Sequence, residues 1–85
     1  MHVEYSNKFL RSASRLPAKL IVAADTKEAL FKRSPFHPSL ETHKLHGKDK
    51  GAWAFSITRK CRIKFIFLKE NSALFLDIGD HSIYK

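Results

Sequence analysis

The chain has 85 residues, 44% hydrophobic and 12% aromatic, which is enough apolar material for one small core and too little length for two. Lys and Arg number 16 against 8 Asp and Glu, and the net charge of +8 favours an anionic partner such as RNA, DNA, an acidic protein or an anionic membrane surface. This composition excludes disorder as the main state, and Cys61, the one cysteine, excludes a disulfide-stapled secreted scaffold.

His2 to Tyr5 alternate weakly and predict a short first strand. Ser6 is placed to cap a helix running through Phe9, Leu10, Ala13 and Leu16. Pro17 ends that helix and suits the first turn of a second, predicted from Pro17 to Phe31. Leu20, Ala23, Ala24, Leu30 and Phe31 share one side of it, and Lys27 interrupts that stripe. Glu28 and Lys32 pair at i, i+4, and Lys32 and Arg33 complement the helix dipole. The two prolines of Ser34-Pro35-Phe36-His37-Pro38-Ser39 exclude regular structure there and mark a connection.

Beyond it the period changes to two. A short strand is expected at His43 to Leu45, followed by the Gly47–Gly51 loop. Trp53, Phe55 and Ile57 alternate with Ala54, Ser56 and Thr58. Cys61, Ile63, Phe65 and Phe67 alternate with Arg62, Lys64, Ile66 and Leu68. Leu74, Leu76 and Ile78 alternate with Ala73, Phe75 and Asp77. The connections between these runs are short and polar, as hairpins require. The element order predicts a single α+β domain over residues 1–85, with an N-terminal strand and an αα-hairpin packed on one face of an antiparallel sheet. No signal peptide is expected from Met1 to Leu10, and Leu20 to Ala24 is too short to span a bilayer, so a soluble cytoplasmic protein is expected.

The charge is concentrated. Between His43 and Lys64 stand Lys44, Lys48, Lys50, Arg59, Lys60, Arg62 and Lys64 against the single acid Asp49. Such a face is either the ordinary wet side of a sheet or a surface that tracks a phosphate backbone. His43 precedes the basic strands and His81 follows the last one. Two imidazoles flanking Arg62 supply what cleavage through a ribose 2′-OH needs: a proton acceptor, a proton donor and a guanidinium for the phosphorane. Imidazole suits both proton roles near neutral pH. His43 and His46 form the only close pair, but on a strand their rings point to opposite faces, so no metal site and no cofactor are expected. The nucleophile-elbow, P-loop, dinucleotide and HExxH patterns are absent. Cys61 reads as a buried filler thiol, Trp53 as core or core edge, and Asp77 as a carboxylate needing a structural partner.

Ser34 to Leu40, His43-Lys44-Leu45-His46-Gly47, Trp53 to Ile57, Cys61-Arg62-Ile63 and the ending Leu76 to Tyr84 together resemble toxins of the RelE/ParE superfamily, closest to the YafQ- and YoeB-like branch. That resemblance implies a microbial-ribonuclease-like fold, ribosome-dependent cleavage of mRNA, and neutralisation by a cognate antitoxin, with no membrane or small-molecule partner. It assigns His43, Arg62, His81 and Tyr84 to catalysis and puts Lys44, Lys48 and Lys50 where family members carry RNA-binding basic residues; His46, Arg59, Lys60 and Lys64 join them as expected RNA-binding residues. The chain departs from the pattern in two ways. Ile57-Thr58-Arg59-Lys60 stands where YafQ-like toxins carry a second histidine and an aspartate. The acid of YoeB-like toxins has only Glu41 and Asp49 nearby. A gyrase-inhibiting toxin of the ParE branch and a catalytically decayed RNA-binding homologue are the alternative expectations.

Overall fold

Residues His2–Tyr5 form strand β1, and Ser6, in extended conformation, caps helix α1, Asn7–Ser14. The Ser6 hydroxyl accepts from the Phe9 amide at 3.0 Å and donates to the Leu76 carbonyl at 2.9 Å, so the cap also ties the helix start to the last strand. Pro17 begins helix α2, Ala18–Arg33, accepting from the Leu20 and Ile21 amides. Strands β2 (His43–Lys44), β3 (Trp53–Ser56), β4 (Arg62–Leu68) and β5 (Ser72–Gly79) follow. This is a computed structural model, which describes residues 1–47 and 51–84, and for His81 and Tyr84 the backbone alone.

The sheet order is β1-β5-β4-β3-β2. Four strands run antiparallel to their neighbours, as expected, but β1 lies parallel to β5, with His2 opposite Ser72 and Tyr5 opposite Phe75. The sheet is therefore mixed. Three further details depart from the sequence reading. Helix α1 stops at Ser14, two residues short of Leu16, and α2 runs two residues past Phe31 to Arg33. The proline-rich connection contains a 3-10 turn at Pro38–Leu40, where the His37 ring accepts from the Ser39 amide at 3.1 Å. A bulge at Lys64/Phe65 leaves Leu76 unpaired on β5, so Phe75 and Ile78, three residues apart, both enter the core.

Both helices cover one face of the sheet. Phe31 of α2 is fully buried, stacked on Phe55 at 4.6 Å and edge-on to Phe65 at 4.8 Å and Phe75 at 5.6 Å. Trp53 is half-buried at the core edge against Phe36 and Phe67. Asp77 is buried, accepting from the Ser12 hydroxyl at 2.6 Å with Lys8 at 3.5 Å, the structural partners its position requires. Burial pushes the Cys61 thiol up, partly offset by Arg62, so it stays protonated and packs as a small hydrophobe. Among the described residues no helix is long and apolar enough to cross a membrane.

Tyr5 joins β1 to α2 by donating its hydroxyl hydrogen to the Glu28 carboxylate. Burial, then this hydrogen bond and the Glu28 charge, push the phenol from 10.0 up to about 12. The unfolded phenol loses its proton first, so stability is expected to fall as pH rises above about 10. Thermal midpoints measured across alkaline pH should decline less steeply in Tyr5→Phe than in the parent chain, and equal slopes would contradict this role for Tyr5.

Candidate functional site

The β3–β4 hairpin sets the centre of the site. Its register places Ser56 opposite Arg62, and cross-strand partners project from the same face, here the one away from the helices. The Arg62 guanidinium donates through Nη1 to the Ser56 hydroxyl at 2.9 Å. Ser56 in turn points its hydroxyl hydrogen at Glu41 Oε1, 3.4 Å away. Glu41 lies two residues before β2, with φ 50° and ψ 40°, a left-handed conformation that is uncommon and strained for a side chain of this size. Its backbone carbonyl accepts from His43 Nδ1 at 2.9 Å. A carbonyl only accepts, so Nδ1 carries the hydrogen and Nε2 is the proton-accepting nitrogen of the neutral ring. One strained residue thus orients both His43, through its backbone, and Arg62, through Ser56.

A cleft of about 540 Å³ opens beside this line. Lys27 of α2, Ser39, Glu41, Ser56, Arg59 and Arg62 line it, bringing three cations to one carboxylate. Such an excess in a partly enclosed space favours an anionic ligand.

The structure brings some of the expected residues together and separates others. Arg59 and Arg62 share the cleft. His43 registers with Ala54, which registers with Lys64, so both project from the same face as Arg62. Lys44 pairs with Trp53 and therefore lies on the opposite, helix-covered side, exposed at the sheet edge, as alternation dictates. His46 is exposed beyond β2. Lys60 lines a second, apolar cleft of about 590 Å³ with Leu16, Leu20 and Cys61. Lys48 and Lys50 lie outside the described residues. His81 and Tyr84 bound a 3-10 turn that follows β5. Arg62 is opposite Gly79, so the turn begins two residues past Arg62's partner, at the same end of the sheet. Lys64 Nζ holds it there through the Ile83 carbonyl at 3.2 Å. Among the described residues no three His, Cys, Asp or Glu gather as a metal site.

Ser56 and Lys27 enter the site without having been singled out for it, and Glu41, named from the sequence only as an acid nearby, stands in the cleft. The signal for Ser56 was hairpin register, and the signal for Lys27 was a charge within an apolar stripe.

Gly79 sets how closely the final turn can approach. A Cβ there would stand 2.9 Å from Ile83 Cγ2. Gly79→Ala is expected to cost about 1–3 kcal/mol by overpacking. Combined with Ile83→Ala it should cost less than the two changes summed, as read by urea unfolding of all four chains. Simple additivity would mean that this approach is not tight.

No family model matches the sequence, and no curated protein matches it. Solved structures do. The YoeB/ParE toxin from Agrobacterium tumefaciens superposes with a TM-score of 0.80 at 18% identity, over 95% of this chain and 99% of that one. YafQ from E. coli gives 0.80 at 14% identity, over 95% and 93%. This chain has the fold of these toxins. A chain of the E. coli DinJ–YafQ toxin–antitoxin complex matches too, with a TM-score of 0.77 at 15% identity over 95% of this chain and 92% of that one. The shared fold thus extends over nearly the whole length of the chain.

Proposed function

We propose that the chain is the toxin of a type II toxin–antitoxin pair and an endoribonuclease that cuts mRNA on the ribosome. The observation that carries this reading is the arrangement of Arg62 in a cation-rich cleft, linked through Ser56 and Glu41 to the ring of His43, on the sheet face away from the helices in a toxin fold. RNA supplies its own nucleophile. The ribose 2′-OH attacks the adjacent phosphorus, the O2′–P bond forms, and the P–O5′ bond breaks, leaving a 2′,3′-cyclic phosphate and a 5′-hydroxyl. His43 and His81 share the two proton transfers, one accepting from the 2′-OH and one donating to the leaving O5′. Arg62 binds the charge that builds on the phosphorane oxygens. Tyr84 positions a base or its phosphate, and Arg59 and Lys64 hold the backbone on either side.

The partner that keeps such a chain harmless is an acidic antitoxin segment, a role supported by the likeness to a chain of the DinJ–YafQ complex. Primer extension on a reporter mRNA after induction tests the reading. Cuts inside translated codons that vanish in the Arg62→Ala/His81→Ala double variant are expected. Growth arrest with intact mRNA would point instead to a binding target such as gyrase. Neither cuts nor arrest would mean a decayed toxin.

A further inference from the structure

Lys27 lies in line with Leu20, Ala24 and Phe31 on the stripe of α2 that packs against the core, a poor place for a charge. A lysine can be tolerated there because its stem covers apolar surface while the ammonium reaches past the edge. The ammonium-bearing side chain lines the cleft that holds Ser56, Arg59 and Arg62. Lys27 is half-buried, and among the described residues no acid lies within ion-pair distance of it. Glu41 shares the cleft and is already engaged by Ser56. Three cations facing one carboxylate exceed what a single phosphodiester neutralises.

We infer that Lys27 grips the RNA phosphate next to the scissile one, making α2 part of the substrate-binding surface. This rests on the endoribonuclease reading and adds to it a phosphate subsite built from the helical layer. Lysine suits that role as a point charge, whereas Arg62 offers a planar fork to the reacting group.

Lys27→Met keeps the stem and the helix propensity and removes the charge. The probe is a single-stranded oligoribonucleotide methylated at every 2′-oxygen, bound by the intact chain over a series of salt concentrations. One phosphate contact contributes about 0.7 to the slope of log affinity against log salt for a single strand. Lys27→Met is expected to lower that slope by about 0.7 and to weaken binding roughly tenfold at low salt, with the thermal midpoint maintained. Lys27→Arg should restore both, and Lys19→Met, on the exposed side of the same helix, should change either quantity much less. An unchanged slope in Lys27→Met, or a loss no larger than that of Lys19→Met, overturns the inference. Absence of binding by the parent chain overturns it as well. Cleavage inside codons is read separately by primer extension, so failure of the Lys27 subsite and failure of the nuclease reading give different results.

Discussion

Arg62→Ala is expected to abolish growth arrest while leaving a folded protein. Arg62 is half-buried and projects away from the main core, so its loss opens no cavity among the packed rings. Ser56 loses a donor but still directs its hydroxyl at Glu41, so no buried hydrogen-bond donor is orphaned. The chemistry loses its charge-stabilising group. Removing one such donor costs about 10²–10³ in rate in well-studied cases, and an ionised guanidinium on a dianionic phosphorane belongs at the upper end. Arg62→Lys keeps the charge but loses the fork, and is expected to recover only a small part of the activity. Cleavage rates with purified protein, read beside thermal unfolding, check both variants. Full toxicity in a folded Arg62→Ala chain would remove Arg62 from the reaction.

Phe31→Ala is expected to have the largest effect on stability. The ring is fully buried and is the only part of α2 that is fully enclosed, touching Phe55, Phe65, Phe67 and Phe75. Phenylalanine-to-alanine changes in cores cost about 3–5 kcal/mol, since transfer free energy is lost and a cavity remains. A domain this small has a stability near the lower end of the usual range of roughly 5–15 kcal/mol. The variant should therefore unfold at far lower urea than the parent, with a large unfolded fraction at growth temperature. A shift worth less than about 1 kcal/mol would mean that the five-ring cluster relaxes around the gap.

Much of the fold was legible in local pattern. The cap at Ser6, the break at Pro17 and the change of period after Ser39 each have a short-range cause, and each appears in the structure near the expected place. The parallel pairing of β1 with β5 was not legible, because period-two alternation marks a strand without naming a partner about seventy residues away. Nor was the bulge at Lys64/Phe65, which carries Ile78 into the core beside the expected alternation.

The candidate site divides in the same way. Arg62 could be read as outward-facing from its own strand alone. Ser56 needed the hairpin register, and Glu41 needed a left-handed backbone that no glycine or asparagine announces. Lys44 lies on the opposite face from Arg62 because one step along β2 turns a side chain over, which a charge count along the chain does not show. Lys27 belongs to a helix whose pattern concerns the core, and only the packing of helix on sheet brings it to the cleft.

Purified ribosomes programmed with a short mRNA test the central claim most directly. The chain, and separately Arg62→Ala, is added to complexes with an all-ribose codon or with a single 2′-O-methyl group at the cleaved nucleotide. The account predicts a cut within the codon ending in a 2′,3′-cyclic phosphate, lost on methylation of that one oxygen and lost in Arg62→Ala. Cleavage that persists through the methyl group would contradict attack by the 2′-OH. An mRNA that stays intact with the active chain would contradict the endoribonuclease reading itself.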